Sequence, residues 1–144
     1  SEMMASYEML LENYYKTLNI EALTMISMVK NDIMGAACSY QRSLAETISA
    51  KKAALTSISC ETEEAMLVKA SDLTSGLAAG LKKLEEDVDK ESVYEDVYDL
   101  AKYNRDVIFE DMGKLREVVD ELETLVPKEI WPYPTYGEIL YSVR

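Results

Sequence analysis

Three long stretches in which apolar residues recur every three or four positions, almost free of glycine and proline, constrain this chain more than any other feature. Tyr7, Leu11, Tyr14, Leu18, Met25 and Val29 follow spacings of three, four and seven, which bring them to one face of a helix. Glu12, Asn13, Lys16 and Lys30 stand between them and suit the wet side. Tyr40, Leu44, Thr47, Ile48 and Ala54 continue the spacing to about Leu55. Gly35 interrupts it. A glycine inside a helix costs roughly 1 kcal/mol against alanine, so a kink or short break is expected there. Thr56 to Cys60, small and polar, reads as a loop. A second helix opens at Glu61–Glu64, whose charges suit the positive end of a helix dipole. Met66, Ala70, Leu73, Leu77, Leu81, Leu84 and Val88 form its stripe, and Gly76 and Gly80 beside it permit another helix to come close. Ser92 to Glu95 has the form of a capping box, which predicts the start of a third helix. Val93, Val97, Leu100, Val107, Leu115, Val118, Leu122 and Leu125 form its apolar face, and Pro127 ends it.

The predicted fold is therefore all-α: an antiparallel bundle of three long helices in a single domain over residues 1–144, closed by a short aromatic and proline-rich tail. The lengths do not match. At 1.5 Å per residue a helix over 5–55 runs roughly 75 Å, against roughly 45–50 Å for either later helix. Either the first helix folds back at Gly35, giving a four-helix appearance, or it carries apolar surface that the other two cannot cover. In the tail, Thr135 and Glu138 offer another capping box, and a short helical turn over Tyr136–Ser142.

The balance of charge narrows the partners. A net charge of −12, with lysines scattered rather than clustered, repels nucleic acid and anionic membrane surfaces. No apolar run approaches the eighteen or so residues that a membrane helix needs, and no basic start precedes an apolar block. Cys38 and Cys60 form no CxxC pair and read as reduced, inert residues of a cytoplasmic protein.

The chain has no histidine. This removes imidazole metal ligands and histidine bases. A carboxylate-bridged di-iron bundle, which needs Glu-x-x-His pairs, is excluded. No glycine-rich phosphate loop or calcium loop occurs, and Ser39, Ser43 and Ser49 have no base beside them. No residue qualifies as catalytic, as cofactor-binding or as a metal ligand, so this chain alone is not expected to be an enzyme.

Two polar or aromatic features remain as candidates. Arg105, in the middle of the third helix, is set to pair with Glu21 or Asp32 of the first as a pin of register, against the alternative of separate solvated charges. Trp131, Tyr133 and Tyr136 either dock along the bundle or anchor it to another surface.

Several stretches together resemble the type III glutamine synthetases. Leu11 to Met25 is similar to the helix that follows their catalytic core. Trp131 to Glu138, with Ile139 to Val143, resembles their closing residues, and Ala101–Phe109 and Asp120–Val126 fit between. Gly35 departs from the pattern, which has proline there; both residues interrupt a helix. The resemblance implies the C-terminal helical region of a longer enzyme that ligates ammonia to glutamate with ATP and a divalent metal, Mg or Mn. None of that enzyme's ligand motifs stands here, so no cofactor is expected in this segment. The implied partners are the catalytic core of the same chain and neighbouring subunits of a cytoplasmic homo-oligomer. A start on Ser1 suits an internal segment, with Ser1 to Met4 expected to include residues foreign to the natural chain. The rival reading is a self-standing interaction module whose groove takes a partner's helix.

Overall fold

A computed structural model describes residues 1–134. Three rods make up the fold. The first contains α1 (Glu2–Met28), a π turn (Val29–Ile33) and α2 (Met34–Ala54). The second is α3 (Glu61–Asp89), extended by a 3-10 turn (Lys90–Val93). The third contains α4 (Val97–Tyr103), another π turn (Asn104–Ile108) and α5 (Phe109–Leu125). Among the described residues no strand occurs, as the periodicity requires.

The first rod does not turn back at Gly35. Met34 keeps right-handed helical backbone and Gly35 lies inside α2, so the rod's irregularity is the π turn just before it. A π turn accommodates one extra residue, which rotates the apolar stripe on the far side. Leu18, Ala22, Val29 and Ile33 can therefore share a buried seam with Ala37, Tyr40 and Leu44.

The second rod runs antiparallel to both others. Lys30 meets Glu85 at 3.3 Å, Gln41 donates to the Thr74 hydroxyl at 2.8 Å, and Lys51 pairs with Glu63 at the loop end. There Lys51 also donates to the Ser59 carbonyl, and Lys52 meets Glu64 at 3.1 Å. Lysines ending α2 and glutamates opening α3 also suit the two helix dipoles, so the glycine-free turn is held by charge.

The close approach expected at Gly76 and Gly80 is made by the third rod. A Cβ at Gly80 would lie 3.1 Å from Leu115 Cδ1 and 3.8 Å from Leu115 Cα; one at Gly76 would lie 3.8 Å from Val118 Cγ2. Leu77, Leu84, Ile108, Leu115 and Leu122 are fully enclosed around this waist. Met66, placed on the stripe by spacing, is exposed, because the third rod does not extend far enough to cover it.

The third rod starts later than the Ser92–Glu95 pattern predicts. Ser92 sits in the 3-10 turn and donates to the Asp89 carbonyl, Tyr94 is extended with its ring 4.9 Å from that of Tyr103, and Asp96 precedes the helix. Docking of Tyr94 on Tyr103 holds the backbone out of helix, and Val93 is left exposed. The third rod ends at Leu125, before Pro127, whose carbonyl accepts from the amides of Ile130 and Trp131.

Candidate docking surface and polar junction

At its N-terminal end the first rod is flanked by α4 on one face, and apolar side chains stay in solvent there. Met3, Met4, Tyr7, Met9, Leu10 and Tyr14 are all exposed, Met3 at 82% and Leu10 at 67%. Tyr7 meets Tyr98 of the third rod, their ring centroids 5.9 Å apart. Ile20 and Leu23 extend the exposed surface toward the middle of the rod. Monomeric proteins keep contiguous apolar surface of this kind small. Ile20 also opens a groove of about 480 Å³ between the first and third rods, floored by Met25, Met28, Val29, Met112 and Val119 and rimmed by Glu21, Arg116 and Asp120.

The residues singled out from the sequence are not brought together as expected. Arg105 pairs with its neighbour Asp106 at 2.8 Å, in solvent, rather than with Glu21 or Asp32. The π turn that begins at Asn104 gives the inward position to Asn104, which is fully buried, and leaves Arg105 outside. Glu21 stands exposed on the groove's rim. Asp32 accepts a hydrogen bond from the Tyr133 hydroxyl at 2.5 Å, and burial together with that carboxylate pushes the Tyr133 phenol up to about 12. Trp131 is buried in the bundle's own core, so it is not the exposed anchor that its composition invites. Tyr136, and the turn expected from Thr135 to Ser142, lie outside the described residues.

Sequence reasoning missed a polar junction where the turn after α3 meets the other two rods. Asp87 and Asp111 are each 5% exposed, in positions that continue the apolar stripes of α3 and α5. Lys83 Nζ lies 2.6 Å from Asp87 Oδ2 and 3.5 Å from Asp111 Oδ1, and Lys90 Nζ lies 3.6 Å from Asp87 Oδ1. The Tyr103 hydroxyl donates to the Asp87 carbonyl at 2.6 Å, and burial pushes its phenol up to about 12. Glu91, raised above the usual carboxylate range by burial, faces Asn104 and Asn19. The clue lay in the spacing: Asp87 falls three residues after Leu84, and Asp111 between Ile108 and Leu115. No group of three or more Cys, Asp or Glu side chains suited to a metal occurs among the described residues. Cys38 is exposed and Cys60 buried, both free.

The molecule is thus a long first rod, with apolar side chains bare at its N-terminal end, packed on two shorter rods. The family described as "Glutamine synthetase C-terminal domain" matches residues 1–52, nearly the whole first rod. A glutamine synthetase of Butyrivibrio fibrisolvens is 36% identical over 143 residues, covering 99% of this chain and 20% of its own length. This chain matches the C-terminal region of type III glutamine synthetases. A type-3 glutamine synthetase of Dictyostelium discoideum is 24% identical over 144 residues, covering 97% of this chain and 20% of that protein. The chain thus spans about a fifth of the length of these glutamine synthetases.

Proposed function

We propose that this chain is the non-catalytic helical brace of a glutamine synthetase, packing on the catalytic body of the same chain and helping subunits assemble into a homo-oligomer. The observation that carries this reading is the bare apolar end of the first rod, within the segment that the family pattern matches. Burying a Leu or Met side chain is worth about 1.5–3 kcal/mol, so Met3, Met4, Met9 and Leu10 together make a strong drive toward a surface outside the described residues. The parent would be a cytoplasmic glutamate–ammonia ligase using ATP and a divalent metal. Those ligands would be held by its remaining four-fifths.

The test is a pair of substitutions, Met9→Asp and Leu10→Asp, read in two settings. In the full-length enzyme the expected result is loss of assembly by native mass spectrometry, with activity falling alongside. In the 144-residue chain the melting temperature should barely move, and no turnover of glutamate, ammonia and ATP should be seen. Intact assembly with both aspartates in place would overturn the reading.

A second reading is favoured by one observation, the groove between the first and third rods. A self-standing module would seat a partner's amphipathic helix there. In that case Val119→Asp, and not Leu10→Asp, would disrupt complex formation.

A further inference from the structure

The junction at Asp87 and Asp111 leaves buried acceptors without donors. Asp111 Oδ2, Asn104 Oδ1, Glu91 Oε1 and Asn19 Oδ1 are all buried and without a hydrogen-bond partner. Asn104 gives one amide hydrogen to the Leu100 carbonyl, 3.0 Å away, and its other, like the Asn19 amide, faces Glu91, so neither amide serves Asp111. Two lysines, Lys83 and Lys90, stand against three carboxyls, Asp87, Asp111 and Glu91. The first rod adds Asn19 and no further cation, because its Lys30 is engaged by Glu85. Tyr103 has committed its hydroxyl proton to the Asp87 carbonyl. Leaving a buried acceptor unpaired costs roughly 1–3 kcal/mol, so a donor is wanted here. Two neighbouring buried carboxyls, here bridged by Lys83, supply one when they share a proton.

We propose that this junction captures a proton between the Asp87 and Asp111 carboxyls, and that losing it loosens the third rod from the second. Held there, the proton gives Asp111 a donor toward Asp87 and leaves one carboxylate for Lys83 and Lys90. Once it leaves, two anions face each other in a buried site, next to the waist where Gly80 and Leu115 touch. The electrostatics run the same way. Burial first, and then Asp87, push Asp111 up to about 6. Asp87 is held below the usual carboxylate range, first by its hydrogen bond with Asp111 and then by Lys83.

An unfolded aspartate takes up its proton near 3.9. Between that value and about 6 the folded chain holds a proton that the unfolded chain has lost, so Asp111 stabilises the fold below about 6 and this is lost as pH rises through it. Asp87 has the opposite sign: its contribution is present above the ordinary carboxyl range and lost as pH falls below it. The pair together favours a window from about 4 to about 6.

Carbon-13 NMR of the side-chain carboxyls, titrated on the 144-residue chain from about pH 3 to about pH 8, tests this directly. The expected result is one step of the pair near 6, roughly two units above an ordinary aspartate, accompanied by loss of amide protection in the first turns of α5. Asp111→Asn should abolish the step and make that protection independent of pH. Titration of both carboxyls within about one unit of 3.9 would overturn the proposal, since water would then be supplying the missing donors. So would a step near 6 that survives in Asp111→Asn. Should that variant fail to fold, the wild-type titration decides alone.

Discussion

The N-terminal end of the first rod and the waist of the bundle are built from the same kind of sequence and meet opposite fates. At the waist, Leu77, Leu84 and Leu115 are fully enclosed, and glycine at 80 lets the third rod approach within contact distance. At the N-terminal end, Met4, Met9 and Leu10 are equally apolar, lie off the stripe of Tyr7, Leu11 and Tyr14, and remain in solvent. The difference is not one of hydrophobicity but of cover. The first rod is about 80 Å long at 1.5 Å per residue, and beside Tyr7, Leu11 and Tyr14 runs α4 of the third rod, which covers one face and leaves Met9 and Leu10 bare. An apolar stripe therefore says which face wants covering and not whether the cover belongs to the same segment.

The largest expected effect is at the waist. Leu115→Ala should cost about 2–5 kcal/mol in urea denaturation, because the cavity would open where the backbones are already closest. A cost under about 1 kcal/mol would mean that the second and third rods are not packed as described. Gly80→Val comes next. Its added methyls would meet Leu115, and overpacking of this kind should cost about 1–3 kcal/mol. Gly113, on α5 close to Leu115, is the control: a Cβ there meets nothing within 4 Å. Gly113→Ala should therefore stabilise the chain, by up to about 1 kcal/mol. Opposite signs for the two glycines would sharpen the comparison, and equal signs would break it.

The smallest effects belong to the exposed positions. Leu10→Ala and Arg105→Ala should each shift stability by less than about 0.5 kcal/mol in the 144-residue chain. For Arg105 the reason is its solvent-exposed partner, Asp106, since surface ion pairs contribute little. A loss above about 1 kcal/mol from Arg105→Ala would restore the idea that it pins the register of the rods.

Much of the architecture was legible because it rests on spacing. The Thr56–Cys60 loop, the opening at Glu61, the stop before Pro127 and the close approach at Gly76 and Gly80 all follow from residue types at helical intervals. What escaped depended on small changes of phase. A π turn leaves no mark in composition, yet the one beginning at Asn104 decides that Asn104 faces inward and Arg105 outward. The Ser92–Glu95 box was outweighed by a tertiary contact, Tyr94 on Tyr103. Asp87 and Asp111 went unremarked because acids are common throughout this chain, and only their register with Leu84 and Leu115 sets them apart. Trp131 was expected as either a bundle contact or an anchor, and only the fold itself could choose between these.

Oxidation footprinting of Met9 bears most directly on the claim that the first rod's N-terminal end is built to be covered from outside the bundle. Brief peroxide treatment followed by peptide mass spectrometry should convert Met9 readily in the 144-residue chain, where it is 63% exposed. In the full-length, assembled enzyme Met9 should be protected, while Met66, exposed on the second rod, provides the internal comparison. Equal oxidation of Met9 in both settings would contradict the account, because the bare end would then be a solvent face and not a docking surface.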